Sequence, residues 1–160
     1  MIEAVVRYLR QAGVSFRMTS YPGPEPRPQV AHRFTPGTQL VDAHVVLVDG
    51  APALACTPCD VPIDLAAFAT ETGAMVLESS SAELPDEYRG APGPLPPLGG
   101  VFGVPLFIDE RILQAPRLGF RAFAPNDYVE LGYDDFALVE RPRVVAFARG
   151  ELPPHPPGES

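Results

Sequence analysis

The sequence predicts a domain of the mixed α/β class, in which helices flank a β-sheet that contains parallel and antiparallel strands. Three observations support this prediction. The chain opens with apolar residues at helical spacing, it contains a turn dipeptide between two apolar runs, and helical and extended patterns then alternate along its length. Interleaved helices and strands with a hairpin are typical of a mixed sheet.

The first helix is predicted from an apolar stripe that Gly13 ends. Residues 14–20 alternate between apolar and polar side chains, which predicts a strand. A proline-rich loop is expected at 21–28 and one helical turn at 29–34. The apolar stripe consists of Ile2, Val5, Val6 and Leu9.

The strongest local signal is a β-hairpin centred on Asp49-Gly50. Apolar runs at 43–48 and 53–57 flank this dipeptide, which is a preferred two-residue hairpin turn. The near-continuous apolarity of both runs predicts strands that are buried on both faces.

The second half of the chain continues the alternation of helices and strands. Asp64 is placed to cap a helix that Gly73 ends, and Ser80 or Ser81 can cap a second helix through Tyr88. Five further strands and a last helix follow from short apolar runs. The expected segments are strands at 75–77, 104–108, 118–122, 128–131 and 144–147, and a helix at 134–139.

Length and composition indicate a single domain. The chain has 160 residues, of which 46% are hydrophobic, enough for one core at 1–149. Residues 150–160 are rich in proline and predict a disordered tail. The sequence shows neither an apolar run of transmembrane length nor a signal peptide, so a cytoplasmic location is expected, with no membrane partner.

The charge balance is acidic. Twelve basic residues, all of them arginine, stand against twenty acidic ones and give a net charge of −8. Because nucleic-acid phosphates attract cationic surfaces, this balance opposes tight binding to polyanions. DNA is therefore not expected as a partner, and any contact with RNA should be weak and transient.

The two cysteines form a Cys-x-x-Cys pair, Cys56 and Cys59. This spacing occurs in redox pairs and in half of a zinc site. The three histidines are scattered along the chain, and there is no second cysteine pair. Structural thiols are therefore favoured over a redox or metal role, and no metal or other cofactor is expected.

The most informative segment is 89–109, which contains five glycines and five prolines and then enters an apolar strand. Glycine permits close approach of a ligand to the backbone, and proline fixes its own φ. Such a loop can form a stiff cradle that binds through its remaining amide groups. The alternative is a rigid surface connection.

An ordered set of motifs carries a resemblance that covers residues 2–145. These motifs are Gly93-Pro94-Leu95-Pro96-Pro97-Leu98-Gly99, Phe102-Gly103-Val104-Pro105, Asp109-Glu110, Asp49-Gly50, Val61-Pro62-Ile63-Asp64-Leu65, Tyr133-Asp134-Asp135-Phe136 and Arg141-Pro142. Together they resemble the YbaK and prolyl-tRNA-synthetase-associated domain family, whose members are aminoacyl-tRNA editing deacylases.

The resemblance implies a curved, barrel-like mixed sheet flanked by helices. It also implies an activity, the hydrolysis in trans of the ester of mischarged tRNA. The partner would be the 3′ end of an aminoacyl-tRNA, and translation fidelity would be the role. Ester hydrolysis needs a positioned water and donors for the oxyanion, and it does not require a metal. By resemblance, residues 93–97 support the aminoacyl group. Proline at 94, 96 and 97 lacks an N–H group, so Gly93 and Leu95 are the candidate donors.

The sequence departs from the family pattern at two places. Family members carry a lysine where this chain has Asp42, and related sequences carry Ala-Gly-Thr-His where this chain has Ala122-Phe123-Ala124-Pro125. Three explanations are open: an inactive descendant, a deacylase with different chemistry, or a pocket suited to another ligand.

Two further sets of candidate site residues follow from the sequence. Asp42 and His44 lie two apart on a strand, hence on one face, and could act together as a general base. The alternative is that Asp42 is a carboxylate at the strand edge and that His44 is solvated or hydrogen-bonded within the core. Arg89 could bind a terminal phosphate or pair with a neighbouring acid. Phe123 could line the pocket or belong to the core.

The leading interpretation is a trans-acting aminoacyl-tRNA deacylase. The alternative is a catalytically inactive module of the same fold that binds a small amino-acid-like ligand or a protein partner such as a synthetase.

Overall fold

The computed structural model describes residues 1–20 and 34–148. The predicted loop at 21–28, most of the turn at 29–34 and the tail at 150–160 lie outside the described residues. The helices of the described part are α1 (Ile2–Ala12), α2 (Leu65–Thr72), α3 (Gly99–Phe102) and α4 (Tyr133–Glu140). Its strands are β1 (Arg17–Ser20), β2 (Thr38–Val48), β3 (Ala51–Pro58), β4 (Val76–Glu78), β5 (Leu106–Asp109), β6 (Arg117–Ala122), β7 (Ala124–Gly132) and β8 (Arg143–Val145).

The described strands form one mixed sheet in the order β1-β7-β6-β2-β3-β5-β8, and β4 pairs with the far end of β2. The pairs β2–β6, β3–β5 and β5–β8 are parallel, and the others are antiparallel. The predicted mixed α/β class is confirmed. The strand order runs from one edge to another, so the sheet is open and not a closed barrel.

The predicted hairpin forms with strands longer than the apolar runs indicated. Asp49 and Gly50 both have positive φ, at 50° and 84°, as the two central residues of a type I′ turn require. The β3 residues from Ala53 to Pro58 are all buried, which confirms the expected burial on both faces of that strand.

Of the three hydrophobic clusters in the described residues, the two larger ones position the helices. The larger one includes Leu9 of α1, Phe102 of α3 and Phe136 of α4. The smaller one surrounds Phe68 of α2, whose ring centroid lies 5.1 Å from that of Phe107 on β5. Helix α2 is positioned by its predicted cap, because the Asp64 carboxylate accepts a hydrogen bond from the Ala67 amide at 3.0 Å.

The helix predicted through Tyr88 does not form. Two short 3₁₀ turns, Ser81–Glu83 and Asp86–Tyr88, replace it, although Ser80 does cap the first of them. Leu84 and Pro85 between the turns are extended. Proline lacks an N–H group and disfavours helical φ and ψ in the residue before it, which explains the interruption.

Other elements shift by a few residues from their expected bounds. β1 begins at Arg17 and not at residue 14, and the last strand lies at Arg143–Val145 instead of 144–147. Helix α3 was not predicted at all.

A buried carboxylate fastens the chain near its C-terminal end to β5. Asp109 Oδ1 accepts hydrogen bonds from the amides of Phe147 at 2.9 Å and Ala148 at 2.8 Å. Its Oδ2 accepts one from the Arg111 amide at 3.0 Å. Asp109 therefore has a structural role that explains why a charged residue is buried here.

None of the helices in the described ranges combines the length and apolar character that crossing a bilayer demands.

Candidate functional site

The glycine- and proline-rich loop is held against the turn that joins β6 and β7. The Phe123 amide donates a hydrogen bond to the Pro94 carbonyl oxygen at 2.7 Å. Gly93 has a φ of +80°, and a Cβ atom there would overlap the Phe123 carbonyl oxygen. Only glycine combines this positive φ with so close a backbone approach. Position 93 is therefore fixed by the loop's contact with residue 123.

The other end of the loop is fixed by a buried carboxylate of α4. Glu140 accepts hydrogen bonds from the backbone of Gly99 and Gly100, at the N-terminus of α3, and from the Tyr8 hydroxyl of α1. Burial raises the pKa of Glu140 above its ordinary value. Three helices are thus joined behind the loop by one side chain.

A cavity of about 230 Å³ lies between the loop and the two central strands β2 and β6. Pockets that enclose drug-sized ligands are typically about 300–1,000 Å³, so this one suits a smaller group. The residues lining it are Val41, Asp42, Ala43, His44, Pro94, Leu95 and Arg121.

The two predicted backbone donors differ in their placement. Leu95 is half-buried and lines the cavity, whereas Gly93 is exposed at the edge of the loop. Among the described residues, neither amide donates a hydrogen bond to another backbone or side-chain group. Pro96 and Pro97 are buried behind Leu95. Leu95, which lines the cavity, is therefore the better placed of the two candidate donors.

Asp42 lies on β2 beside a guanidinium group that the sequence analysis did not consider. Its Oδ1 atom is 3.6 Å from Nη2 of Arg121 on β6, and each side chain is about a fifth exposed, at 22% and 23%. Its Oδ2 atom accepts a hydrogen bond from the Asp60 amide at 3.1 Å. Asp42 is therefore an ion-paired residue of the cavity wall.

His44 shares this wall with Asp42, as the two-residue spacing predicted. Its Nε2 atom lies 3.1 Å from the Thr57 hydroxyl. Burial lowers the pKa of His44 below its ordinary value, although the negative charges of Asp42 and Glu78 act in the opposite direction. The imidazole is consequently neutral near pH 7 and can accept a proton.

Two other predicted site residues do not line the cavity. Arg89 is exposed on the surface before the loop. Phe123 packs its ring 6.1 Å from Tyr88 and 6.0 Å from Phe102, so it supports the loop from behind. The cation that does face the cavity, Arg121, carries no local sequence signal, because its position depends on which strand β6 pairs with.

The cysteines lie beside the cavity without forming a disulfide. Cys56 is fully buried, and burial raises the pKa of its thiol well above the ordinary value, which makes it unreactive. Possible ligand atoms of Asp42, Cys59 and Asp60 lie within 4.8 Å of one another. The Arg121 guanidinium beside Asp42 opposes a cation there, and we assign no metal to this group.

Comparison with solved structures shows the same fold in proteins of low sequence identity. One match, from a study of epitope grafting onto scaffold proteins by computational design, has a TM-score of 0.74 and 18% identity and covers 93% of this chain and 97% of its own. The hypothetical protein APE2540 has a TM-score of 0.72 and 15% identity, with coverage of 91% and 99%.

A third structure is that of a protein proposed to be a trans-editing enzyme for prolyl tRNA synthetase. It has a TM-score of 0.69 and 16% identity and covers 92% of this chain and 96% of its own. No curated protein matches the sequence.

The family model of the aminoacyl-tRNA editing domain matches residues 29–138, which span the hairpin, the loop and all the residues that line the cavity. This match confirms the family predicted from the sequence motifs. The chain belongs to the aminoacyl-tRNA editing domain family.

Proposed function

We propose that this protein is a trans-acting aminoacyl-tRNA deacylase that hydrolyses the ester of mischarged tRNA in the cavity beside Leu95. The observation that carries the proposal is the cavity itself. A backbone donor and a neutral imidazole line one small space in a chain of the editing family. These are the groups that ester hydrolysis needs.

The Leu95 amide is the proposed oxyanion donor. Attack of water on the ester carbonyl places negative charge on the carbonyl oxygen, and a preorganised N–H group stabilises that charge. The prolines on both sides of Leu95 restrict the backbone, so the amide needs little reorganisation during the reaction. Gly93 and the prolines at 94, 96 and 97 are proposed to shape the aminoacyl-binding surface.

His44 is the proposed general base. It takes a proton from the attacking water, the tetrahedral intermediate collapses, and the C–O bond to the terminal ribose breaks. The ribose oxygen leaves with a proton, and the free amino acid is released. Asp42 is proposed to act on His44 through its charge, which favours the protonated imidazole that forms during attack.

The direct test is hydrolysis of mischarged alanyl-, cysteinyl- and seryl-tRNA by the purified protein. Release of any one amino acid above the spontaneous rate supports the proposal. His44→Ala should lower kcat by about 10²–10⁴-fold if the imidazole is the base. Unchanged turnover in this variant would remove His44 from the mechanism.

The backbone donor can be tested separately by replacing the Leu95 amide with an ester linkage. This change deletes the N–H group, keeps the side chain and also weakens the Pro94 carbonyl oxygen that accepts from Phe123, so urea denaturation must show that the loop is retained. Loss of an oxyanion donor should lower kcat by about 10²–10³-fold. If the wild type binds but hydrolyses none of the three substrates, the binding-module alternative replaces the deacylase.

A further inference from the structure

We propose that Arg121 is the anion-binding residue of this site and that it contacts a phosphodiester at the 3′ end of the tRNA next to the aminoacyl group. This inference rests on the proposed function, because it names what holds the same substrate. It starts from the observation that Arg121, on β6, lines the same cavity as Leu95.

The position of Arg121 follows from the register of two parallel strands. Leu40 of β2 pairs with Gly119 of β6. Two residues further along each strand are Asp42 and Arg121, and a step of two returns a side chain to the same face. The β6–β7 register then shifts between Arg121 and Ala122. Such irregularities often redirect a side chain beside a functional site.

Within residues 1–20 and 34–148, Asp42 is the charged partner of the Arg121 guanidinium and does not occupy all of its donors. Its contact with Asp42 measures 3.6 Å, longer than the roughly 2.7–2.9 Å of a charge-assisted hydrogen bond. A guanidinium carries five N–H donors in a fork that matches phosphate oxygens. Asp42, itself fixed by the Asp60 amide, holds the group near the cavity and leaves donors for a second anion.

The charge of the whole chain makes a local cation necessary for this substrate. A net charge of −8 repels a polyanion, so the terminal phosphodiester needs a positive group close to the cavity. Among the arginines in the described part of the chain, Arg121 is the one that lines it. Several of the others are committed elsewhere. Arg17 and Arg117 pair with Glu130, Arg111 with Asp109, and Arg143 lies over the Phe107 ring.

The partial exposure of Arg121 fits a role at the entrance. At 23% exposure, the side chain is neither buried nor fully solvated. The cavity accommodates a group of aminoacyl size, so the nucleotide that carries it must remain outside. A partly exposed guanidinium can reach the anionic part of the ligand while the ester lies beside Leu95.

The test uses non-hydrolysable amides of alanine, cysteine and serine. Each is made in two forms: on 3′-amino-3′-deoxyadenosine, which has no phosphate, and on the corresponding cytidylyl-cytidylyl trinucleotide, which has two phosphodiesters. Kd is measured for wild type, Arg121→Gln, Arg121→Lys and the surface control Arg89→Gln, and thermal unfolding checks that each variant is folded.

Arg121→Gln should weaken trinucleotide binding by about tenfold or more, with less than about a twofold effect on the nucleoside. Arg121→Lys should restore part of the loss, because charge returns without the fork, and Arg89→Gln should bind like wild type. The slope of log Kd against log salt for the trinucleotide should fall by about 0.7 in Arg121→Gln, as for one lost phosphate contact.

The outcomes separate this inference from the proposed function. If Arg121→Gln loses the same affinity for both probes, or loses affinity for neither, the phosphodiester contact is overturned even if the wild type is an active deacylase. Phosphate-dependent binding through Arg121 in a protein that hydrolyses no aminoacyl-tRNA would support the contact and overturn the deacylase. Binding of neither probe by the wild type would overturn both.

Discussion

Replacing Gly93 with alanine tests whether the loop depends on its backbone contact with Phe123. The added Cβ meets the Phe123 carbonyl oxygen, a backbone atom that cannot rotate away, at a residue whose φ is +80°. Gly90 provides the matched control, because its φ is +73° and a Cβ there meets nothing within 4 Å. Gly90→Ala therefore reports the conformational penalty alone.

The expected magnitude is the sum of two terms. A left-handed conformation costs an L-residue about 1–2 kcal/mol, which both variants share. Gly93→Ala must also separate the loop from β6, and losing the hydrogen bond between Phe123 and Pro94 adds about 1 kcal/mol. We expect Gly93→Ala to lower the free energy of unfolding by about 2–3 kcal/mol and Gly90→Ala by about 1–2 kcal/mol.

Urea denaturation of the two variants and the wild type measures these values, with the slope m compared to verify that the same transition is observed. A deacylation assay on the same samples should show a loss for Gly93→Ala but not for Gly90→Ala. Equal destabilisation by the two variants would refute the reasoning, since the contact with Phe123 would then have no energetic consequence.

Three further predictions concern buried polar groups. Burial lowers the pKa of His44 below its ordinary value of 6.5. The stability that this histidine contributes is therefore complete above pH 6.5 and is lost as pH falls below it. His44→Gln should reduce the loss of unfolding free energy that acidification from pH 6.5 produces. Burial raises the pKa of Glu140 above its ordinary value of 4.5. The stability that this carboxyl group contributes is therefore complete below pH 4.5 and is lost as pH rises above it. The free energy of unfolding of the wild type relative to Glu140→Gln should accordingly fall as pH rises from 4.5, as unfolding curves at several pH values would show. Asp109→Asn should destabilise by about 2–4 kcal/mol, because it weakens an acceptor shared by three amides and places an NH₂ group in the same buried position; a loss below about 1 kcal/mol in urea denaturation would contradict this role.

The elements that the sequence predicts best are those with local signals. The hairpin at Asp49-Gly50 and the capped helix after Asp64 depend on residues within a few positions of one another, and both form as expected. The helix expected through Tyr88 is interrupted for a local reason as well, since Pro85 disfavours helical geometry there. Helix α3 could not be predicted, because the carboxylate that caps it, Glu140, comes from a distant helix.

The candidate site likewise contains residues that local sequence signals predict and residues that depend on distant contacts. The motif that contains Leu95 and the two-residue spacing of Asp42 and His44 are visible in the sequence, and the structure places all three at one cavity. Arg121 is not visible, because its proximity to Asp42 arises from a parallel pairing between strands that are far apart in sequence. Arg89 was considered in its place for its position next to the loop, but sequence proximity did not bring it to the cavity.

The hydrogen bond between Phe123 and Pro94 ties the cavity-lining loop to the end of β6. Phe123 stands two residues after Arg121, so the loop is tied to the turn that directly follows the strand presenting the guanidinium. The gap between loop and strand is consequently set when the chain folds and does not depend on a ligand to close it. Any group wider than this gap is therefore excluded from the cavity on steric grounds alone.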